Sequence, residues 1–328
     1  MIDFRYHLVS LISVFLALAV GIILGAGPLQ GAIGETLTEQ VDALRAERTD
    51  LRTELDATQS ALDGDERYIE AVGTQLVTGS LDGTRVAVVQ LGEVPQDVHD
   101  GVLNQLDTSG ATVVAKTALT EAWTDPDQQS SRETLAEGLR ANLGEIAPEA
   151  DDPSATLGAA LAVALTGNGG GPGRSSQATD LEDQLERFGL VEPGDDQTEA
   201  AEALVLLVGS AGQPQQTADG ATEEADPGTE DVWVSVTRSA QEISGAAVLA
   251  GPTTEPGDIV QAVRDDEDIA AEVTTVSGIA RLTGRINVPL AVAARLSGVV
   301  GQYGLEDDAT AVLPPVVDAE ADTDTNAE

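Results

Sequence analysis

A chain of 328 residues with 57 acidic and 16 basic side chains carries a formal charge of −41, spread along the sequence rather than confined to one tail. Such a surface excludes nucleic acid as a partner, because binding a polyphosphate takes clustered Lys and Arg to displace its counterions, and Lys116 is the single lysine. The absence of cysteine excludes disulfides, thiolate metal sites and cysteine nucleophiles, while 41% hydrophobic content with few aromatics predicts a core of Val, Leu, Ala and Ile.

In residues 1–7, Asp3, Arg5 and His7 alternate with Ile2, Phe4 and Tyr6. That arrangement predicts aromatic anchoring at a membrane interface, with recognition of a cytoplasmic or membrane partner as the competing reading. An uncharged apolar run over residues 8–27 follows. At about 1.5 Å per residue it matches the roughly 30 Å of a bilayer core, and it exceeds the apolar part of a cleavable signal, about 7–15 residues. We therefore expect a single transmembrane anchor in the plasma membrane. Arg5 precedes the run and mainly acidic residues follow it, which predicts a cytoplasmic N-terminus and an extracytoplasmic bulk. Ser13, Ala17, Gly21 and Gly25 recur every four residues, and Gly21 and Gly25 form a GxxxG unit that lets two helix backbones approach in lipid.

Between residues 35 and 77 the apolar spacing alternates four and three through Leu37, Val41, Leu44, Arg48, Leu51, Leu55, Thr58, Leu62, Asp65, Ile69, Val72 and Leu76, and nine of these twelve positions are apolar. This predicts a parallel coiled coil and hence a homodimer or higher oligomer, with Glu47 and Arg52 at flanking g and e positions. The competing reading is that the seam packs on the chain's own globular part, most plausibly over its last third, where Asp63-Gly64-Asp65 interrupts it. Gly27-Pro28, Gly31 and Gly34 predict a joint between the two helical stretches.

From residue 82 to 305 short β-rich runs alternate with helical stretches. Residues 84–91, 112–115, 203–208, 246–250 and 273–276 read as strands buried on both faces. Crossover helices are expected at 96–108, 132–143, 155–166, 181–188, 232–243, 258–265 and 290–301. The fold class is α/β, a doubly wound, mostly parallel sheet behind an N-terminal transmembrane helix and coiled coil. A Gly-rich joint is expected at 167–176, a mobile acidic excursion at 209–230, and a disordered acidic tail at 306–328.

Catalytic signatures are missing. No G-x-G-x-x-G follows the first strand, and neither a P-loop, a G-x-S-x-G elbow nor an H-E-x-x-H pair occurs. The glycine turns after the strands, at 92–93, 209–212 and 251–254, are where a doubly wound sheet would hold a ligand, but none carries a phosphate signature. The two histidines are His7 and His99, so no enzyme is expected, and His99 is a weak metal candidate that reads more simply as a helix surface residue.

The opening string from Met1 to Leu29 resembles the start of an actinobacterial copper transport protein family, MctB, in its Ile2-Asp3-Phe4-Arg5-Tyr6-His7 motif and in Gly21, Ile22, Leu24, Gly25 and Pro28 at the helix end. Weaker similarity continues through Arg85–Val89 and Gly301-Gln302-Tyr303-Gly304. The resemblance implies a membrane-anchored envelope protein with a coiled coil and an α/β domain, taking part in copper efflux or homeostasis; members are also associated with cell separation and envelope maintenance. The residues themselves are poor copper donors, since Cu(I) favours Cys and Met sulfur and Cu(II) favours imidazole, and Met1 is the one methionine. No bound cofactor is expected, with copper as a transported or indirect ligand. Two functions follow as expectations: an oligomeric, non-enzymatic copper-homeostasis component, or an envelope scaffold whose coiled coil and α/β head dock another envelope protein.

Overall fold

The structure is a computed structural model that describes residues 4–148, 152–167, 172–193, 197, 199–209, 227–252 and 257–317. It divides into two compact units, Met1–Arg67 and Tyr68–Glu328.

Helix α1 spans Phe4–Val77. The joint expected at Gly27-Pro28, Gly31 and Gly34 is helical instead. A proline inside a helix forfeits one hydrogen bond and crowds the preceding turn, at about 3 kcal/mol, and long flanking runs of good helix formers can absorb that cost. Farther on, Thr49, Thr53 and Thr58 return their hydroxyl hydrogens to the carbonyls of Arg45, Thr49 and Glu54 at 2.8, 3.0 and 2.9 Å, so these residues join the helix rather than compete with it. The helix stops where Gly79 turns left-handed at φ +78.

The second unit is built on a seven-stranded sheet of order β3-β2-β1-β4-β5-β6-β7. Its strands are β1 Arg85–Leu91, β2 Thr112–Leu119, β3 Val191–Pro193, β4 Ala203–Val208, β5 Ala247–Ala250, β6 Thr274–Val276 and β7 Gln302–Tyr303. All neighbours are parallel except β2 and β3. The five expected strands form the parallel centre. The two edge strands β3 and β7 escape pattern reading because three and two residues are too few to show a period.

Alternation along the central strands explains their unbroken apolar sequence. Ala87, Val89 and Leu91 of β1, with Leu204, Leu206 and Val208 of β4, enter one core layer. Val86 and Val88, with Ala203, Val205 and Leu207, enter the other. Helices α3 (Gln129–Leu143), α4 (Pro153–Thr166), α5 (Ser176–Arg187), α6 (Pro227–Ser244) and α7 (Ile259–Asp265) cover the first layer, followed by the short α8 (Glu267–Ala270). Helices α2 (Gln96–Thr108) and α9 (Leu282–Leu296) cover the second. Helix α9 begins eight residues before the expected start and carries the buried Pro289 inside it.

The tail also differs from expectation. Residues 306–317 pack on the domain rather than leaving it: Gly304 N–H donates to the Ala311 carbonyl at 3.1 Å, Asn287 Nδ2 donates to the Val312 carbonyl at 2.7 Å, and Arg264 pairs with Asp308 at 3.2 Å. A run of Asp and Ala reads as disorder only until a buried arginine claims one of the carboxylates. The remainder of the expected tail, 318–328, lies outside the described residues, as do 168–171 of the expected Gly-rich joint and 210–226 of the expected acidic excursion.

Candidate functional site

Within α1 the stretch Tyr6–Gly25 has a mean hydropathy of 2.7 over 20 residues and is wholly exposed. Leu, Ile, Val and Phe side chains emerge all around it, which suits lipid on every side and not a soluble core. Of the motif residues, Ile2 and Asp3 lie outside the described part, while Phe4, Arg5, Tyr6 and His7 already belong to the helix. Their alternation is therefore carried on a helix, where a period of two does not define a face. On the expected pairing face, Ser13 Oγ donates to the Val9 carbonyl at 2.9 Å, which satisfies the hydroxyl locally. A Cβ placed on Gly21 or Gly25 would meet nothing within 4 Å, so the groove they form with Ala17 is open.

The heptad seam has two fates. Leu37, Val41, Leu44, Leu51, Leu55 and Leu62 are between 42 and 66% exposed. Leu44, Leu51 and Leu55 share a shallow groove flanked by Glu47, Arg48 and Arg52. Beyond Tyr68 the same periodicity is satisfied inside the chain: Ile69 and Leu76 pack with Val77 against Leu282, Ile286 and Leu290 of α9. Gly73 makes that approach possible, since a Cβ there would overlap Ile286 Cδ1. The seam's last third thus follows the competing reading, as Asp65 foreshadowed. Sequence reasoning did not identify Gly73 or Ile286 as the contact; the signal available was the glycine standing between two seam positions.

Donors for copper are not gathered anywhere in the described residues, where no three His, Cys, Asp or Glu side chains stand together in a way that could hold an ion. His99 lies on α2 with Nδ1 3.2 Å from Asp100 Oδ1, a neighbour in sequence. One imidazole and one carboxylate, with no thiolate or thioether nearby, do not fit a tight copper site of either oxidation state.

The sheet's switch point offers no better cradle. It falls between β1 and β4, because β2 lies on one side of β1 and the chain returns to the other. There Gly209 packs so closely on the Glu93 carbonyl that a Cβ would overlap it, so backbone meets backbone on that side of the crevice. Positions 210–212 and 253–254 of the expected turns lie outside the described residues. The sheet itself is open, with edges at β3 and β7, and its longest strand has eight residues, short of the 9–11 of a membrane-spanning strand.

The profile of a family described as copper transport outer membrane protein, MctB, matches residues 1–314. Proteins named copper transporter MctB are similar along nearly their whole length: the one from Mycobacterium tuberculosis is 28% identical over 335 residues, spanning 95% of this chain and 99% of the relative. The one from Mycobacterium leprae is 26% identical over 334 residues, spanning 96% of this chain and 100% of the relative. An apolar helix, a helical seam and a mostly parallel α/β unit are therefore the architecture of a chain that belongs to the MctB family.

Proposed function

We propose that this chain is a single-pass envelope protein of copper homeostasis that acts as a non-enzymatic oligomer, anchored through α1 in the plasma membrane with its N-terminus cytoplasmic. The observation that carries the oligomer is the uncovered seam: six aliphatic side chains exposed on one stripe of a water-facing helix are stable only when another helix covers them. Glu47 and Arg52 flank that stripe where a parallel partner's charges would answer them.

The copper part of the proposal comes from the relatives' names and is bounded by chemistry. With two histidines and one methionine in the sequence, a single chain binds copper weakly through scattered carboxylates at most, so the role is assigned to the assembly or to a protein it holds. That same poverty of donors favours a second reading, in which the coiled coil and α/β head dock another envelope protein and copper sensitivity follows indirectly.

The test is a titration of the full chain in lipid nanodiscs with Cu(I) and Cu(II) against competing chelators, with the assembled mass measured in the same sample. We expect a dimer or larger assembly and no site tighter than about 1 μM in single chains. A monomeric mass at every concentration would defeat the oligomer, and a tight copper-selective site retained by monomers would defeat the indirect role. Protease protection of the N-terminal residues in oriented vesicles checks the topology.

A further inference from the structure

The α/β unit holds a cavity of about 160 Å³ where the last turns of α1 meet the start of α9 and the loops after β6 and β7. Ile69, Val72, Leu76, Ile286, Val312 and Leu313 make its apolar wall. It is close in size to a cavity of about 150 Å³ that takes one benzene, which fits a single Leu or Phe side chain and is far too small for a lipid chain. Around the opening Tyr68, Leu305, Val312 and Leu313 are between 40 and 71% exposed, a cluster of apolar surface on an otherwise acidic protein.

Two charged residues line it, Arg281 and Glu306. The Glu306 carboxylate is engaged by the Ser277 hydroxyl and lies 3.9 Å from Arg264. Arg281 is different: its exposed guanidinium makes no hydrogen bond or ion pair among the described residues. Of the other arginines of the unit, Arg85, Arg174, Arg187 and Arg264 have carboxylates within 4.0 Å, and Arg132, Arg285 and Arg295 donate to carbonyl or amide oxygens; Arg238 shares the lack of a partner among the described residues but does not border this cavity. In a chain with 57 acidic residues, a cation left unpaired beside an apolar cavity is a recognition feature seeking a carboxylate from elsewhere. Of the chain's longer segments outside the described part, none supplies the occupant, because neither 210–226 nor 318–328 contains a Val, Leu, Ile, Met or aromatic residue.

We propose that this cavity receives one Leu- or Phe-sized anchor from a segment of a partner protein, and that a carboxylate beside the anchor pairs with Arg281. An anchor side chain in a desolvated pocket with one charge contact at its rim is the usual energetic centre of a protein interface. This site shares no residue with the exposed seam positions 37–62, so its test is separate from that of α1 pairing.

The full chain in lipid nanodiscs, with isotope-labelled isoleucine methyls, is titrated with end-blocked hexapeptides that place one phenylalanine beside aspartate, lysine or serine. We expect saturable shifts at the Ile69 and Ile286 methyls, with the aspartate peptide binding about tenfold more tightly than the lysine peptide. Arg281→Ala, which removes no hydrogen bond or ion pair among the described residues, erases that preference, and Leu313→Trp fills the cavity and abolishes the shifts. The proposal is overturned if no peptide shifts these methyls at about 5 mM, or if the lysine peptide binds as well as the aspartate one. It also fails if phenylacetate binds as tightly as the aspartate peptide, which makes the cavity a small-acid site. The same shifts on raising protein concentration without peptide overturn it too, in favour of a second copy.

Discussion

Two apolar helices of this chain have similar sequences and opposite surroundings. Helix α4, Pro153–Thr166, and the α1 span Tyr6–Gly25 are both dominated by aliphatic and small residues and carry no Asp, Glu, Lys or Arg. From Ala155 to Leu165 every residue of α4 is buried, whereas the α1 span is exposed throughout. Length separates them: fourteen residues make about 21 Å, short of a bilayer core, and twenty make about 30 Å. Termination separates them as well. Asp152 caps the start of α4 by accepting from Ser154 N–H at 2.9 Å, and Gly167 ends it in the left-handed region, so the helix is sealed to fit inside a domain. The glycines complete the contrast, since a Cβ on Gly158 would come within 2.9 Å of Val236 Cα while one on Gly21 or Gly25 would meet nothing. Small residues on a helix permit a close approach; in α4 the approaching helix is α6, and in α1 none of the described residues approaches Gly21 or Gly25.

The largest way to break this comparison is Gly158→Leu. The obstruction is backbone and cannot rotate away, so α4 and α6 must separate, at a cost of about 4 kcal/mol. Trp233 on α6 and Trp123 are both buried, with ring centroids 6.0 Å apart, so a red shift of tryptophan emission on the substitution reports the separation. The loss is expected at every protein concentration, because both helices belong to one chain. Leu51→Lys on the exposed seam should do the reverse. It leaves the thermal transition of the α/β unit unchanged and weakens self-association about a hundredfold, as two leucines leave the shared face of a dimer. Sedimentation that shows the same mass as the parent would refute the seam. Smaller again is Gly21→Leu with Gly25→Leu, which blocks the lipid-side groove and should lower in-membrane crosslinking by an amount worth about 1–2 kcal/mol. Unchanged crosslinking would show that the groove is not used.

The contrast also marks what was legible beforehand. The central strands and most helices could be read because burial on both faces leaves an unmistakable run, as in Ala203–Val208, and burial on one face leaves a period, as in Gln96–Thr108. What stayed hidden was decided by partners distant in sequence. Residues 306–317 have no pattern of their own and are held by Arg264, Gln302 and Asn287. The start of α9 was obscured by Pro289, whose helix-breaking tendency gives way to burial of Ile286, Val288, Leu290 and Val292. The heptads showed a stripe in need of cover along 37–76 and the Asp63-Gly64-Asp65 break hinted at its division, but that α9 is what covers the last stretch is seen only in the structure. The cavity beside Arg281 was unreadable for the same reason, since its walls come from four separate parts of the sequence.

Burial acts on protons as it does on methyl groups, and the smallest predicted effect comes from there. Tyr303 on β7 is 2% exposed, and desolvation raises its phenol above the ordinary value. The folded state therefore holds this proton more tightly than the unfolded chain does. Its contribution is complete below the unfolded tyrosine pKa of about 10 and is lost as pH rises through the folded value. Few other groups titrate in that window, since the chain has three tyrosines and one lysine. The Tyr303 carbonyl accepts from Ser277 N–H at 2.9 Å and from Arg264 at 3.0 Å, contacts that Tyr303→Phe retains. The variant should match the parent's melting temperature at about pH 8 and exceed it at about pH 11. An offset that is the same at both pH values would mean that the phenol ionises as freely in the fold as in water, and that the core layer around Val276 and Val288 is wetter at β7 than its packing indicates.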